Sequence, residues 1–203
     1  MAKRLFDIAV SALGLVVLAI PLALIAVAVK CDSAGPVFFR QTRIGRGGVP
    51  FEILKFRSMR SRTAEEMESE ISITVGEDPR VTRLGRYLRR WKLDELPQLI
   101  NVLVGDMSVV GPRPEVPEYA HVYPEQERVW SVRPGITDPT SIEFRDEASL
   151  LGGVEDPDAY YRDVILRQKT DAYLRYIDRA TLRYDVAVIF ETLRKLAGGA
   201  QRD

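Results

Sequence analysis

Histidine and cysteine are almost missing from this chain: His121 and Cys31 are the sole examples among 203 residues. A lone cysteine cannot form an intrachain disulfide, so nothing points to an oxidising compartment. A lone histidine excludes multi-histidine metal sites, and His121 reads as a surface or helix-face residue. Net charge is missing as well, since 29 Lys and Arg balance 29 Asp and Glu. No overall field therefore favours nucleic acid. Internal repeats, heptad runs and low-complexity segments are also absent. At this length the chain can bury a core and is expected to form one domain besides its N-terminal segment.

Charge is absent from one further place, the stretch Ile8 to Val29, which is 22 residues long. As a helix it would measure about 33 Å, enough to cross a bilayer core. The apolar stretch is long and no convincing small-x-small cleavage site ends it, which argues against a removed signal peptide. Lys30 directly before Cys31 argues against a lipoprotein processing site. Pro21 sits inside the run, where it removes the hydrogen bond to the Val17 carbonyl and clashes with the preceding turn, at about 3 kcal/mol in a helix interior. A bend is expected there. A single bent spanning helix is one reading of such a run. Residues 1–30 are thus set apart from a catalytic-size domain, 31–203.

After Gly35-Pro36, Val37 to Ile44 has strand character, Gly45 to Gly48 turns the chain and Pro50 to Lys55 returns as the partner. Arg40, Arg43 and Arg46 on this hairpin suit either a solvated basic face or an anionic ligand. Ser61 to Asp78 carries Glu65, Glu66, Glu68 and Glu70, a charge run of the solvated kind. Beyond it, Leu84, Tyr87, Leu88 and Trp91 fall on one helical face, with Arg83, Arg86 and Arg90 elsewhere. Such a helix suits a membrane interface, and ordinary core packing equally. Part of Glu115–Gln126 and most of Pro157–Tyr176 and Ala180–Leu196 are expected to be helical. The fold class is α+β: a bent N-terminal membrane helix, then a mostly helical domain with a small β-hairpin and interfacial amphipathic helices.

Chemistry concentrates between Arg83 and Pro114. Asp94 and Glu95 are adjacent, and adjacent side chains diverge on a helix and oppose on a strand, so they have different jobs. One carboxylate could attack phosphorus while the other holds a divalent cation on phosphate oxygens. The plain alternative is that Asp94 caps the helix running through Leu96 to Val104. Two stiff cationic turns follow, Gly111-Pro112-Arg113-Pro114 and Val132-Arg133-Pro134-Gly135. Proline beside an arginine, on both sides of Arg113 and after Arg133, can aim it at a phosphate.

Leu93-Asp94-Glu95-Leu96-Pro97-Gln98, Asn101-Val102-Leu103, Gly105-Asp106-Met107-Ser108 and Gly111-Pro112-Arg113-Pro114 together resemble the signature of the bacterial sugar transferases, the monotopic phosphoglycosyl transferases. Lys55-Phe56-Arg57-Ser58-Met59 and Val132 to Thr137 resemble further blocks in the same order, so the likeness covers nearly the whole chain. The resemblance implies transfer of a sugar-1-phosphate from a UDP-sugar to a polyprenyl (undecaprenyl) phosphate, with release of UMP. It implies Asp94 as nucleophile of a ping-pong reaction and Glu95 as ligand of Mg²⁺. It also implies substrate-binding roles for Lys55, Arg57, Arg89, Gln98, Pro112, Arg113, Arg133 and Arg145. The resemblance also implies that the N-terminal segment is a re-entrant membrane helix, which enters the membrane, breaks at Pro21 and returns to the same face, with Lys3, Arg4 and Lys30 on the cytoplasmic side. Pro21 and Trp91 become the membrane-related residues, and the expected place is the inner membrane with the catalytic domain on its cytoplasmic face. Membrane lipid is then a partner; homo-oligomerisation is left open. The chain departs from relatives at Ile20, where serine is common, and at Asp138 to Arg145, where Ile-Thr-Gly often continues; the second departure leaves the sugar unidentified.

Two rival readings stand beside this. Asp156-Pro157-Asp158 matches the short Asp-x-Asp pattern of metal-dependent glycosyltransferases that make glycosidic bonds directly. A membrane-anchored adaptor is the other, and it leaves the acid pair and the arginine turns without a purpose.

Overall fold

The computed structural model describes residues 1–60, 78–140 and 147–198. The glutamate run at positions 65–70, Arg145 and most of the loop before it lie outside the described residues. The architecture is helix-dominated α+β with two small sheets.

The apolar N-terminus forms two helices, α1 (Ala2–Val17) and α2 (Ala19–Asp32), bent by 64° at Leu18. The break falls three residues before Pro21, which reflects what proline forbids and permits. Pro21 cannot donate to Val17, so α1 ends there, and proline is tolerated in the first turn of the helix that restarts. No single described helix is long and apolar enough to cross a membrane; the bent pair passes that test together, by length and composition.

Strands β1 (Phe38–Ile44) and β2 (Pro50–Phe56) form the expected antiparallel hairpin, in register Phe38 with Phe56 and Ile44 with Pro50. The connection uses Gly47 and Gly48 at positive φ, which glycine adopts without a Cβ penalty. Helix α3 (Arg83–Arg90) begins at Thr82, whose hydroxyl accepts from the Gly85 N–H. Gly85 lies so close to the hairpin exit that a Cβ would stand 1.9 Å from the Ser58 carbonyl oxygen. Lys92, in the left-handed region at φ 56°, turns the chain out of α3. A 3-10 turn (Leu93–Glu95) and α4 (Gln98–Val104) follow.

A second sheet has only two strands of three residues, β3 (Ser108–Val110) and β4 (Gly135–Thr137), and they run parallel. Glycines at 111 and 135 make this approach possible, since a Cβ on Gly135 would fall 2.1 Å from the Gly111 nitrogen. The last third is helical, chiefly α5 (Leu166–Arg179) and α6 (Leu182–Gly198), with a single π turn over Tyr161–Ile165 before them.

Burial divides the interior into three groups. Val29, Phe56 and Leu88 join α2, β2 and α3, with Leu84 and Leu93 packed alongside. Ile53, Val102, Met107, Val109, Val110, Tyr176 and Val188 join the hairpin to α4, β3 and the last two helices. A tyrosine-rich group around Tyr119, Tyr123, Tyr161 and Tyr173 holds the C-terminal part. Of the apolar face expected on residues 84–91, Leu84 and Leu88 turn inward, whereas Tyr87 is exposed and lies 6.4 Å from Trp91. That face serves core packing on one side and presents aromatics on the other.

Candidate active site

Two segments distant in sequence converge on Glu95. Lys55, near the end of β2, places its Nζ 2.7 Å from Glu95 Oε1. Arg113, from the turn after β3, places Nη2 2.8 Å from the same oxygen and Nη1 3.5 Å from Oε2. The carboxylate, the ammonium and the guanidinium form one cluster in which Glu95 is nearly inaccessible.

The positions of these groups are fixed by backbone pairings rather than by the ions themselves. Asn101 lies one helical face along from the acid pair. It accepts from the Leu54 N–H at 3.0 Å through Oδ1 and donates to the Glu52 carbonyl at 2.7 Å through Nδ2. Its amide thus stands in for a third strand on the free edge of β2, one residue before Lys55. The Arg113 turn is bracketed on one flank by Gly111 N–H to Thr137 and Gly135 N–H to Pro112, and on the other by Ile44 N–H to Glu115. Arg43 adds a bond from Nη1 to the Pro114 carbonyl and lies 3.8 Å from Glu115.

Electrostatics separates the two neighbouring acids. Burial pushes Asp94 up from its ordinary value, and the Glu95 charge adds to this, against Lys55, Lys92 and Arg89. Burial pushes Glu95 the same way, but Arg113 and Lys55 outweigh it and hold the carboxyl well below its usual range. The other partners follow suit. Burial draws Lys55 down to about 8 despite Glu95, and Glu95 raises Arg113 against its own burial. Burial also lowers Arg43, in spite of Glu115.

Asp94 has no cap role. The helix after it begins at Gln98 with no side-chain cap, and Asp94 Oδ1 is buried without a hydrogen-bond partner. Gln98 Nε2 and Arg57 Nε share that condition among the described residues. Glu95 is therefore clamped, whereas Asp94 keeps a bare oxygen.

Other sequence candidates sit differently. Arg57 donates to the carbonyls of Val29, Ser33 and Pro36, closing the end of α2 onto β2. Arg133 donates to the Gly105 carbonyl at 2.7 Å, at the end of α4. Arg89 lies 3.5 Å from the Met59 sulfur and contributes charge near Asp94. Pro112 accepts through its carbonyl as described. Pro21 stands in the first turn of α2, away from the Asp94 cluster in sequence and element. Asp156 caps the short helix Pro157–Tyr160, and Asp158 accepts from Tyr119 Oη at 2.6 Å and pairs with Arg162, so the Asp-x-Asp string has structural partners.

Of two further residues that hold the site, Arg43 is named from sequence on the basic hairpin and Asp7 is missed. Arg43 alternates with Gln41 at strand period, a pattern that places both on one face, where Gln41 Oε1 accepts from Arg43 Nη2 at 2.7 Å. Asp7, the one acid just before the uncharged run, is buried and accepts from Ser108 Oγ at 3.0 Å and the Val109 N–H at 3.1 Å. Its isolation beside an apolar run was the available signal. Lys3 joins it by bonding the Val110 carbonyl and Asp185, so α1 is fastened to the strand that leads to Arg113.

Comparison with known proteins gives a consistent picture. A family model described as bacterial sugar transferase matches residues 1–199. The chain is 39% identical over 198 residues to a UDP-glucose:undecaprenyl-phosphate glucose-1-phosphate transferase of Caulobacter vibrioides, covering 96% of this chain and 69% of that protein. It is 38% identical to an Escherichia coli protein of the same name, covering 95% of this chain but 39% of the relative. It is also 38% identical to the exopolysaccharide production protein PSS of Rhizobium leguminosarum bv. phaseoli, covering 94% and 92%.

Proposed function

The chain belongs to the bacterial sugar transferase family, and on that basis we propose that this transferase moves a sugar-1-phosphate from a UDP-sugar to undecaprenyl phosphate, with UMP as the leaving product. The donor and acceptor are those named for its relatives; glucose is the first sugar to test. The observation that carries the mechanistic part is the contrast between two adjacent acids. Asp94 has a buried, unpartnered oxygen and a raised proton affinity, while Glu95 is ionised and held by Lys55 and Arg113.

In the proposed sequence Asp94 Oδ1 attacks the phosphorus that bears the sugar. The bond from that phosphorus to the UMP oxygen breaks, and UMP leaves with the electron pair. A phosphate oxygen of the lipid then attacks the same phosphorus and releases the Asp94 carboxylate. Passing through a covalent aspartyl phosphosugar spares the two anionic substrates a direct encounter, and ping-pong kinetics follow. Lys55 and Arg113 offer the donor's diphosphate two cations already gathered at the nucleophile's neighbour.

The residues present fit Mg²⁺. Glu95 Oε1 is fully engaged, but Oε2 has only the long 3.5 Å contact to Arg113. Among the described residues no group of three or more His, Cys, Asp or Glu could hold a metal. A hard cation held by one carboxylate and by substrate phosphates is the arrangement Mg²⁺ commonly takes. When bound at Glu95 it would neutralise phosphate charge as the bond to UMP breaks.

The membrane reading is supported by the bent pair's outer surface. Leu5, Leu13, Val16, Val17, Ile20, Leu24 and Val27 are all more than 60% exposed, an apolar face that lipid would cover. We infer that the pair is re-entrant, with the catalytic domain on the cytoplasmic face, and that residues 1–30 form the membrane element and 31–203 the catalytic domain. A lipid-borne phosphate cannot leave the bilayer easily, at about 0.8 kcal/mol per methylene, so the nucleophile must come to the surface.

The test is release of nucleotide from a panel of UDP-sugars with undecaprenyl phosphate and Mg²⁺, for the wild type and Asp94→Asn. UMP from the wild type and none from the variant is expected. Release of UDP would overturn the reading and indicate direct glycosidic transfer.

A further inference from the structure

We propose that Gln98 is a catalytic residue whose side-chain N–H is held bare for a phosphoryl oxygen of the donor while Asp94 attacks the same phosphorus. This rests on the covalent reading of Asp94 given above.

Gln98 is 1% exposed, yet its Nε2 has no hydrogen-bond partner among the described residues. Proteins rarely leave a buried donor unmatched, because it has given up water for nothing. Asp94 Oδ1, four residues earlier, is an unmatched acceptor. The 3-10 turn ends at Glu95, Leu96 and Pro97 have right-handed helical angles, and α4 starts at Gln98. Bonds across this stretch run three residues back, from the Leu96 N–H to Leu93 and from the Leu99 N–H to Leu96, so both side chains leave one short, tightly wound piece of chain. Within five residues a bare donor and a bare acceptor leave each other unsatisfied.

A phosphoryl group answers both at once. Its phosphorus is the electrophile for Asp94 Oδ1, and a non-bridging oxygen is the acceptor for Gln98 Nε2. The geometry lets the second contact strengthen as the first forms, because charge on the equatorial oxygens is redistributed in the transition state. The choice of side chain follows from the neighbours. Pro97 has no N–H to offer at this point of the chain. A lysine or arginine at position 98 would pair with Asp94 and quench the nucleophile, whereas a neutral amide can donate without doing so.

The test uses the full chain with the UDP-sugar identified in the panel, Mg²⁺ and no lipid acceptor, and follows UMP release in a single turnover. Gln98→Met keeps the volume and removes the donor; Gln98→Glu keeps the shape and replaces the donor by an acceptor. Both are expected to slow the UMP burst about 10²-fold, the usual loss for one transition-state donor, with the donor KM within about threefold. Gln98→Met is also expected to melt at the same temperature as the wild type or higher, since it removes an unmatched buried donor. A purely structural amide would give the reverse, a lower melting temperature with an unchanged burst. A burst within threefold of wild type in either folded variant overturns the proposal. Absence of any wild-type burst without acceptor overturns the covalent reading itself, and with it this one.

Discussion

Replacing Asn101 by alanine separates the architecture that holds the site from the ions that occupy it. Asn101 is 3% exposed, and its amide makes the two bonds that tie β2 to α4, to the Leu54 N–H and the Glu52 carbonyl. Each is worth about 1 kcal/mol net, and a Leu54 N–H left without water would add about 1–3 kcal/mol. The Glu52 carbonyl belongs to an exposed residue and can recover a water, so it adds little. The sum is about 3–5 kcal/mol. For a chain of this size that corresponds to a fall of roughly 6–20 °C in melting temperature. Loss of the tie also frees the strand that delivers Lys55 to Glu95, and a displacement of about 1 Å at a site of this kind costs about 10²-fold in rate. Thermal unfolding in detergent, paired with UMP release below the transition, reads both quantities. Asn101→Asp keeps the acceptor for Leu54 but turns an acceptor toward the Glu52 carbonyl, and is expected to lose at least as much. If Asn101→Ala melts within 2 °C of wild type and keeps its rate, the hairpin is held by other contacts and the reasoning fails.

Asp94→Asn is expected to melt higher than wild type at neutral pH while losing UMP release. A raised folded-state proton affinity means that the ionised carboxylate destabilises the fold; the variant's advantage should be complete above the folded pKa and vanish below the ordinary value of about 3.9. A lower melting temperature for the variant at neutral pH would contradict this. Lys55, drawn down to about 8, should give activity an alkaline limb near that pH as the charge on Glu95 and on the donor loses its partner. Lys55→Arg should move the limb upward, because guanidinium stays charged; an unmoved limb would assign it to another group. The same proton balance makes stability rise through this group between about 8 and 10.5, where the unfolded chain holds a proton the folded chain has released.

Local signals made much of this legible in the sequence. The hairpin announced itself through two β-rich runs around a Gly-rich turn, and α3 through its 3.6-residue period. Asp94, Glu95, Lys55 and Arg113 were named from motifs, and the structure brings the last three into direct contact. What could not be read depends on partners far along the chain. The β3–β4 pair consists of two three-residue strands joined by no local pattern, and only Gly111 and Gly135 hint at their close approach. Arg57 has the same composition signal as Lys55 two residues earlier. Its guanidinium nonetheless goes to carbonyls at the end of α2, because alternate residues of a strand end need not meet the same neighbour once the chain leaves the sheet. The break at Leu18 rather than Pro21 follows from where a proline can sit in a new helix, which fixes the bend only to within a turn.

The fastening of α1 also sets an order of events during synthesis. Lys3 and Asp185 are 182 residues apart, and Asp7 finds Val109 at a separation of 102. The first helix therefore leaves the ribosome long before either of its polar clasps exists, with Asp7 unanswered beside an apolar run. Closing so long a loop is slow, so α1 and α2 exist for some time without their partners in the domain, and these clasps are complete only when the last helix is available. A ribosome-stalling series running from about position 140 through residue 203 and into an appended C-terminal linker would see protection of α1 arrive in two steps, first with β3 and then with Asp185.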